Sequence, residues 1–308
     1  MLRLGYACMN LTLGLTTNHT TRLAMIGDAE RMRGLVRENL ASIPPILAWN
    51  AAAGYRLFRI GSSLVPFASH PDFPYDWAVE HAAALKSVGR FAERLGQRLS
   101  MHPGQYCNPG SPDDKVVADS LREIEYATRV MELLGLKDGV VVIHLGGVYE
   151  DRAASVARFI SVMRRQKRAL RYLALEHDER CYNARQVYEA ATELGVPMIF
   201  DLLHPRLNPG DLTEEAAVEL TYETWNAAGR ERPKFHLSTQ AEGAKPGTHA
   251  DCISAEDLSR MASLLAERDS DLMLEAKAKD RCLPIEAVRA AAEGPPEAAA
   301  AARGRRAR

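Results

Sequence analysis

Short apolar runs alternate along this chain with longer stretches whose apolar residues recur at helical spacing. The short runs predict eight strands: LRLGYACM (2–9), YRLFRIGS (55–62), RLSMHPGQ (98–105), VVIHLGG (141–147), LALEHD (173–178), VPMIFDLLH (196–204), PKFHLS (233–238) and LMLEAK (272–277). They are rich in Leu, Ile and Val and nearly unbroken, as strands buried on both faces are. Amphipathic stretches between them predict helices over 76–96, 115–135, 152–170, 183–195, 212–229 and 254–269. The stretches 76–96 and 115–135 end in Leu-Gly, a stop at which glycine adopts positive φ. Ser254 followed by Asp257 is a variant capping box, with Asp in place of the usual Glu. Eight strand-then-helix units predict an α/β fold, a (β/α)8 TIM barrel, with a doubly wound open sheet as the alternative. No GxGxxG follows the first strand and no GxxxxGK[ST] occurs, which disfavours a nucleotide-binding open sheet.

The residues that end the apolar runs change the picture. His102 ends the third run, His144 the fourth and Glu176 the fifth; Asp201 and His204 end the sixth, His236 the seventh and Glu275 the eighth. His249 lies in the loop after the seventh. The C-terminal ends of barrel strands face one rim, so these groups are expected to converge there. Carboxylates packed together without cations would repel and lose their solvation, and divalent metals resolve that conflict. A set of imidazoles and carboxylates without thiolate suits Mn²⁺, Zn²⁺ or Fe²⁺. So many ligands exceed the needs of one ion and point to two or three, with Glu176 and Asp201 as candidate bridges. Paired ions form a clamp for displacement at phosphorus. Lys234 precedes His236 by two residues, so it shares the inward face. It is expected to be neutral, paired with Glu275, or carbamylated by carbon dioxide.

After His102 the chain reads Pro103-Gly104-Gln105-Tyr106, a turn that presents an amide and an aromatic ring at the rim. Such a pair can wedge into a duplex, the ring stacking on a base for about 1–3 kcal/mol. Tyr6 and Asn10 are expected to line the same groove, and Arg59, Arg206 and Lys245 to contact phosphates. His177 alternates away from Glu176 and reads as structural. His70 follows the second run and reads as support for the rim. Ser238 lacks a nucleophile elbow.

Composition narrows the class. The chain has 308 residues, 46% hydrophobic and 26% charged, which excludes wholesale disorder and small disulfide scaffolds. No apolar run reaches the roughly 18 residues of a spanning helix, and Met1 to Gly14 lacks the pattern of a secretory leader. The five cysteines, at 8, 107, 181, 252 and 282, form no CxxC pair, as expected of reduced thiols in the cytoplasm. The net charge of −1 names no partner, since carboxylates at a metal site would mask a local basic patch. Residues 293–308, EGPPEAAAAARGRRAR, carry no large apolar residue and read as a disordered tail behind a single barrel domain, 1–292.

With these residues in view, the chain resembles the UV damage endonucleases. The resemblance runs through GYACMNLTL (5–13), FRIGSSLVPFASHP (58–71), HPGQY (102–106), IHLGG (143–147), LEHD (175–178), FDLLH (200–204), KFHLS (234–238) and LEAKAKD (274–280). It implies a barrel related to endonuclease IV and the xylose isomerase-like enzymes, with two or three Mn²⁺ ions, or other divalent ions such as Zn²⁺, at its mouth. It implies incision of damaged double-stranded DNA immediately 5′ to cyclobutane pyrimidine dimers and 6-4 photoproducts, with some activity on abasic sites. The implied metal ligands are His102, His144, Glu176, Asp201, His204, His236, His249 and Glu275. Of these, Glu176, Asp201, His236 and Glu275, together with Lys234, are the implied catalytic set. Gln105 and Tyr106 would probe the duplex opposite the lesion, Tyr6 with Asn10 would contact the damaged side, and Lys234 matches a position where a modified lysine is suspected. Metal-assisted phosphodiester hydrolysis would leave a 3′-hydroxyl and a 5′-phosphate. A monomer associated with the nucleoid, without membrane contact, completes the expectation. A metal-dependent sugar isomerase or epimerase on the same barrel is the competing reading. An abasic-site nuclease and a non-enzymatic damage binder rank behind it.

Overall fold

A computed structural model describes residues 2–104, 106–265 and 268–282. The expected tail at 293–308 and the wedge residue Gln105 lie outside the described residues. Eight parallel strands form the barrel: β1 Leu2–Ala7, β2 Leu57–Arg59, β3 Arg98–Met101, β4 Val140–His144, β5 Leu173–Glu176, β6 Met198–Ile199, β7 Lys234–Leu237 and β8 Ser270–Leu274. Their spatial order is β6-β5-β4-β3-β2-β1-β8-β7. The ends meet where the His236 N–H donates to the Phe200 carbonyl at 3.0 Å, with Asp201 opposite His236 in a parallel bridge. That seam closes the sheet and excludes the open alternative.

Every predicted strand is present, and most end short of the predicted limit because their last residues turn into rim loops. β6 is the extreme case. Pro197 supplies no N–H at its start, and the Asp201 carboxylate takes the Leu203 N–H at 2.7 Å, bending the chain away from the sheet. The first run also breaks early. Cys8 adopts φ 70°, and a small hairpin of Met9–Asn10 and Leu15–Thr16 follows.

The outer layer holds α1 Ala29–Ala53, α2 Trp77–Glu80, α3 Ala82–Arg94, α4 Asp114–Leu134, α5 Arg152–Met163, α6 Lys167–Leu170, α7 Ala184–Leu194, α8 His204–Leu207, α9 Glu214–Ala227 and α10 Ala255–Leu265. The sequence reading missed α1, whose interior Pro44 and Pro45 mimic a break. Buried Ile43, Ile46 and Leu47 hold the helix against the barrel across that gap. The stretch 76–96 is two helices jointed at the buried His81, and 152–170 is likewise two. The expected capping box at α10 is half formed. The Ser254 hydroxyl accepts the Asp257 N–H at 3.0 Å, while the Asp257 carboxylate turns to Arg206 and Thr239.

Strand alternation sorts the side chains into two environments. The outward set, including Leu4, Tyr6, Phe58, Leu99, Val141, Ile143, Leu175, Phe200, Phe235 and Leu272, packs under the helices as one hydrophobic core. The inward set is mostly polar. At the base, Asp271 is fully buried between Arg3, at 2.6 Å, and Arg98, at 2.8 Å. The guanidiniums of Arg98 and Arg230 each lie 5.0 Å from the Trp225 ring, which plugs this end. Above them lies a thin apolar layer of Val140, Val142, Ala174 and Ile199 on one side and Ala7, Leu57 and Met273 on the other. The candidate ligands sit at the mouth.

Asp271→Ala removes the carboxylate that compensates a buried arginine, so it is expected to cost about 3–5 kcal/mol of stability. A urea denaturation midpoint unchanged from wild type would refute this role for the base pair.

Candidate metal centre

The inward strand ends converge as expected. Glu176 ends β5 and is buried at the centre of the mouth. One of its oxygens lies 3.1 Å from His102 Nε2 and 3.9 Å from His144 Nε2. The other lies 2.8 Å from His236 Nδ1 and 3.9 Å from His204 Nδ1. Three sets of donors are close enough to hold an ion: His102, His144 and Glu176; Glu176, His236 and Glu275; and Glu176, Asp201 and His204. Glu176 belongs to all three sets and Asp201 to one. His249 stands at the margin, with Nδ1 3.8 Å from a Glu275 oxygen, in a loop registered by the Gln240–His249 bridge.

The backbone orients the imidazoles. His102 Nδ1 lies 3.0 Å from the Pro103 carbonyl, His144 Nδ1 3.2 Å from the Glu176 carbonyl, and His204 Nδ1 2.7 Å from the His177 carbonyl. A carbonyl only accepts, so each Nδ1 carries a proton, and each Nε2 is the atom that can take an ion once it has given up any proton of its own. His236 departs from this pattern. Its Nδ1 faces Glu176 and Glu275, and its buried Nε2 has no partner among the described residues.

Electrostatics agree with a site built for cations. Burial opposes the Glu176 charge, but His236, His102 and His144 outweigh it and hold the carboxyl well below its usual range. Burial likewise opposes the Glu275 charge and is overcome chiefly by Arg59, which lowers its pKa. Burial pushes Asp201 up to about 6, with Glu176 and Glu275 adding to the shift. His204 resists its own burial because Asp201 and Glu176 raise it to about 9, so a cation bound there must displace a proton. Burial lowers His236 to about 4 and also lowers His144. An orphaned buried nitrogen and nearby ionised carboxylates, with no thiolate among the donors, fit divalent ions of intermediate hardness.

Sequence reasoning overlooked the groups that hold the ligands. The Ser238 hydroxyl donates to the Asp201 carboxylate, 2.9 Å from each oxygen. His177 Nε2 accepts the Asp201 N–H at 3.1 Å while its carbonyl orients His204. Ser238 had a signal, since it sits two residues after His236 on the inward face. His177 acts partly through its backbone, which residue type does not reveal. Lys234 is inward and almost fully buried, and it donates to the Ser100 hydroxyl at 2.9 Å. Burial, with Arg59 and Arg98 adding, lowers its amine to about 7.

Several expected DNA contacts are placed elsewhere. Tyr6 and Asn10 do not line the groove, because both are fully buried. Tyr6 has the outward parity of β1, and its hydroxyl donates to Asn50 at 2.5 Å while accepting from Asn10 at 2.7 Å. Arg59 is not a free rim cation; it points inward and pairs with Glu275. Arg206 is held by Asp257 at 2.5 Å and by Glu214 at 3.5 Å. Lys245 is exposed in the loop after β7. Tyr106, four residues after His102 in sequence, is 83% exposed, an unusual cost for a large aromatic ring.

The family model for "UV-endonuclease UvdE" matches residues 2–293. The chain is 30% identical over 283 residues to the UV DNA damage endonuclease of Clostridium perfringens (strain 13 / Type A), covering 91% of this chain and 68% of that protein. It spans about half (49%) of a longer relative, also 30% identical, the UV-damage endonuclease of Schizosaccharomyces pombe. The crystal structure of SacUVDE superimposes with a TM-score of 0.86 at 31% identity, covering 94% of this chain and 97% of that one. Endonuclease IV from Thermus thermophilus (TM-score 0.58; 94% of this chain and 99% of that one) and D-psicose 3-epimerase from Clostridium cellulolyticum H10 (0.51; 80% and 83%) are each 14% identical and share the fold alone. The eight-stranded barrel, its ring of imidazoles and carboxylates and the near full-length match converge on one conclusion: the chain belongs to the UV-endonuclease UvdE family.

Proposed function

We propose that this chain is a divalent-metal-dependent endonuclease. It hydrolyses the DNA phosphodiester immediately 5′ to UV photoproducts, with abasic sites as secondary substrates, and leaves a 3′-hydroxyl and a 5′-phosphate. The observation that carries the reading is Glu176, a buried carboxylate common to three ligand sets; one of those ligands, His102, is followed four residues later by the exposed Tyr106. His102, His144, Glu176, Asp201, His204, His236, His249 and Glu275 would hold two or three ions, Mn²⁺ foremost. Bound there, such ions supply Lewis-acid activation of water and neutralise charge building at phosphorus.

The chain's own residues do the remaining work. Ser238 and the Leu203 N–H hold the Asp201 carboxylate, and backbone carbonyls hold the histidines, so the donors need little rearrangement when ions arrive. Arg59 keeps Glu275 ionised and oriented. Lys234, neutral or carbamylated, sits beneath the ligands and beside Ser100. The Tyr106 ring is free to stack in a duplex gap, with Gln105 beside it in sequence, and Lys245 offers an exposed charge to phosphate. A photodimer is already poorly stacked, so extruding it costs less than the few kcal/mol required for intact bases. Selection by deformability lets one mouth accept several lesions. A closed sugar pocket has no use for the exposed Tyr106 ring, and the epimerases match in fold alone.

Supercoiled plasmid is expected to be nicked only when UV-irradiated, and only with Mn²⁺ rather than chelator present. Failure to nick irradiated plasmid with any divalent ion would overturn the proposal. Glu176→Gln is expected to lower bound metal by elemental analysis and to slow nicking by more than about 10²-fold, whereas Ser238→Ala slows it by about 10–100-fold. Full metal content and rate in Glu176→Gln would remove that carboxylate from the site. Tyr106→Ala is expected to weaken binding of irradiated DNA by about 1–3 kcal/mol without affecting folding. Tyr6→Phe does the reverse, costing about 1–3 kcal/mol of stability through its buried amide partners. Swapped outcomes in fluorescence anisotropy and thermal melts would reverse these two assignments.

A further inference from the structure

Two cysteines meet away from the ligand ring. Cys252 is exposed in the loop between β7 and α10, and Cys282 is buried just after the short 3-10 turn Lys279–Arg281. The Cys282 sulfur accepts the Ile253 N–H at 3.2 Å, and its S–H donates to the Asp251 carbonyl at 3.2 Å. Those groups belong to the peptides on either side of the Cys252 Cα. The sulfur therefore faces that Cα, which sets Cys282 directly against Cys252. The backbones are already in register, with the Lys277 N–H on the Ala250 carbonyl at 3.1 Å and the Ala278 N–H on the Asp251 carbonyl at 2.8 Å. His249 lies three residues before Cys252 in the same loop, and Glu275 opens the segment that ends at Cys282.

We propose that Cys252 and Cys282 are a reversible oxidation site for hydrogen peroxide, whose disulfide bolts the His249 loop to the segment after Glu275. The exposed Cys252 thiolate attacks one peroxide oxygen. The O–O bond breaks, the departing hydroxide takes a proton to become water, and Cys252 becomes a sulfenic acid. The Cys282 sulfur then attacks the Cys252 sulfur, the S–O bond breaks, and the thiol proton leaves with the hydroxide as a second water. Two thiols and one peroxide give one disulfide and two waters. The roles follow from position. The exposed thiol meets the oxidant, while burial, reinforced by Cys252, pushes the Cys282 thiol up to about 12 and keeps it protonated and unreactive toward peroxide; its position against Cys252, not its acidity, makes it the second partner. A small dithiol reverses the bond by exchange.

The test treats the full chain with stoichiometric hydrogen peroxide and maps peptides without reduction. The expected product is a peptide pair linking Cys252 to Cys282, lighter by two hydrogen masses, restored by dithiothreitol and absent in Cys252→Ser and in Cys282→Ser. Amide hydrogen exchange over residues 239–253 is expected to slow several-fold in the oxidised wild type and to stay unchanged in peroxide-treated Cys252→Ser. Two thiols still titratable, a sulfinic acid at Cys252 without the link, or only a Cys252–Cys252 dimer between chains would each overturn the site. A link without slower exchange would overturn the bolt.

Discussion

Glu176 is an ionised carboxylate with almost no contact with water, placed where five strand ends meet. Desolvating such a charge is expensive unless partners surround it. Its partners are imidazoles from β4, β7 and the loops after β3 and β6, which explains why histidine recurs at those strand ends. The arrangement has a second consequence. A ring of imidazoles that compensates a carboxylate also presents lone pairs once the protons leave, so the same geometry that tolerates Glu176 could hold a metal ion. The His236 Nε2, buried and without a hydrogen-bond partner among the described residues, is the nitrogen of this ring that no protein group occupies.

The barrel interior is therefore a column of compensated charge rather than an aliphatic plug. Asp271 with Arg3 and Arg98 occupies the base, Lys234 with Ser100 the middle, and Arg59 with Glu275 the mouth. Hydrophobic stabilisation comes instead from the layer between strands and helices, where the outward side chains form one continuous cluster. This division frees the interior for chemistry. Burial of the outward set tolerates the polar column, and the column holds the strand ends at fixed spacing.

Much of this was legible in the sequence, for a local reason. Eight apolar runs announced eight strands, and the common rim formed by barrel strand ends brought His144, Glu176, Asp201, His236 and Glu275 together, while a period of two put Lys234 on the face of His236. The count also contained the correction for Tyr6: it lies between inward Gly5 and Ala7, so it had to face the helices. Helix α1 stayed hidden because Pro44-Pro45 is a strong local breaker, and only distant packing partners tolerate it.

Residue type and spacing determined the fold class, the strand order in sequence and the chemical character of the mouth, because each depends on neighbours a few positions apart. Tertiary structure alone decided which cations are free. Arg59 is neutralised by Glu275, 216 residues away, and Arg206 by Asp257, 51 residues away, while Lys245 keeps its charge exposed. It also decided that Glu176, not Asp201, is the carboxylate common to every ligand set, and that Ser238 and His177 hold the ligands in place. Ion pairing and ligand geometry depend on distances in space between remote segments, and no local pattern records them.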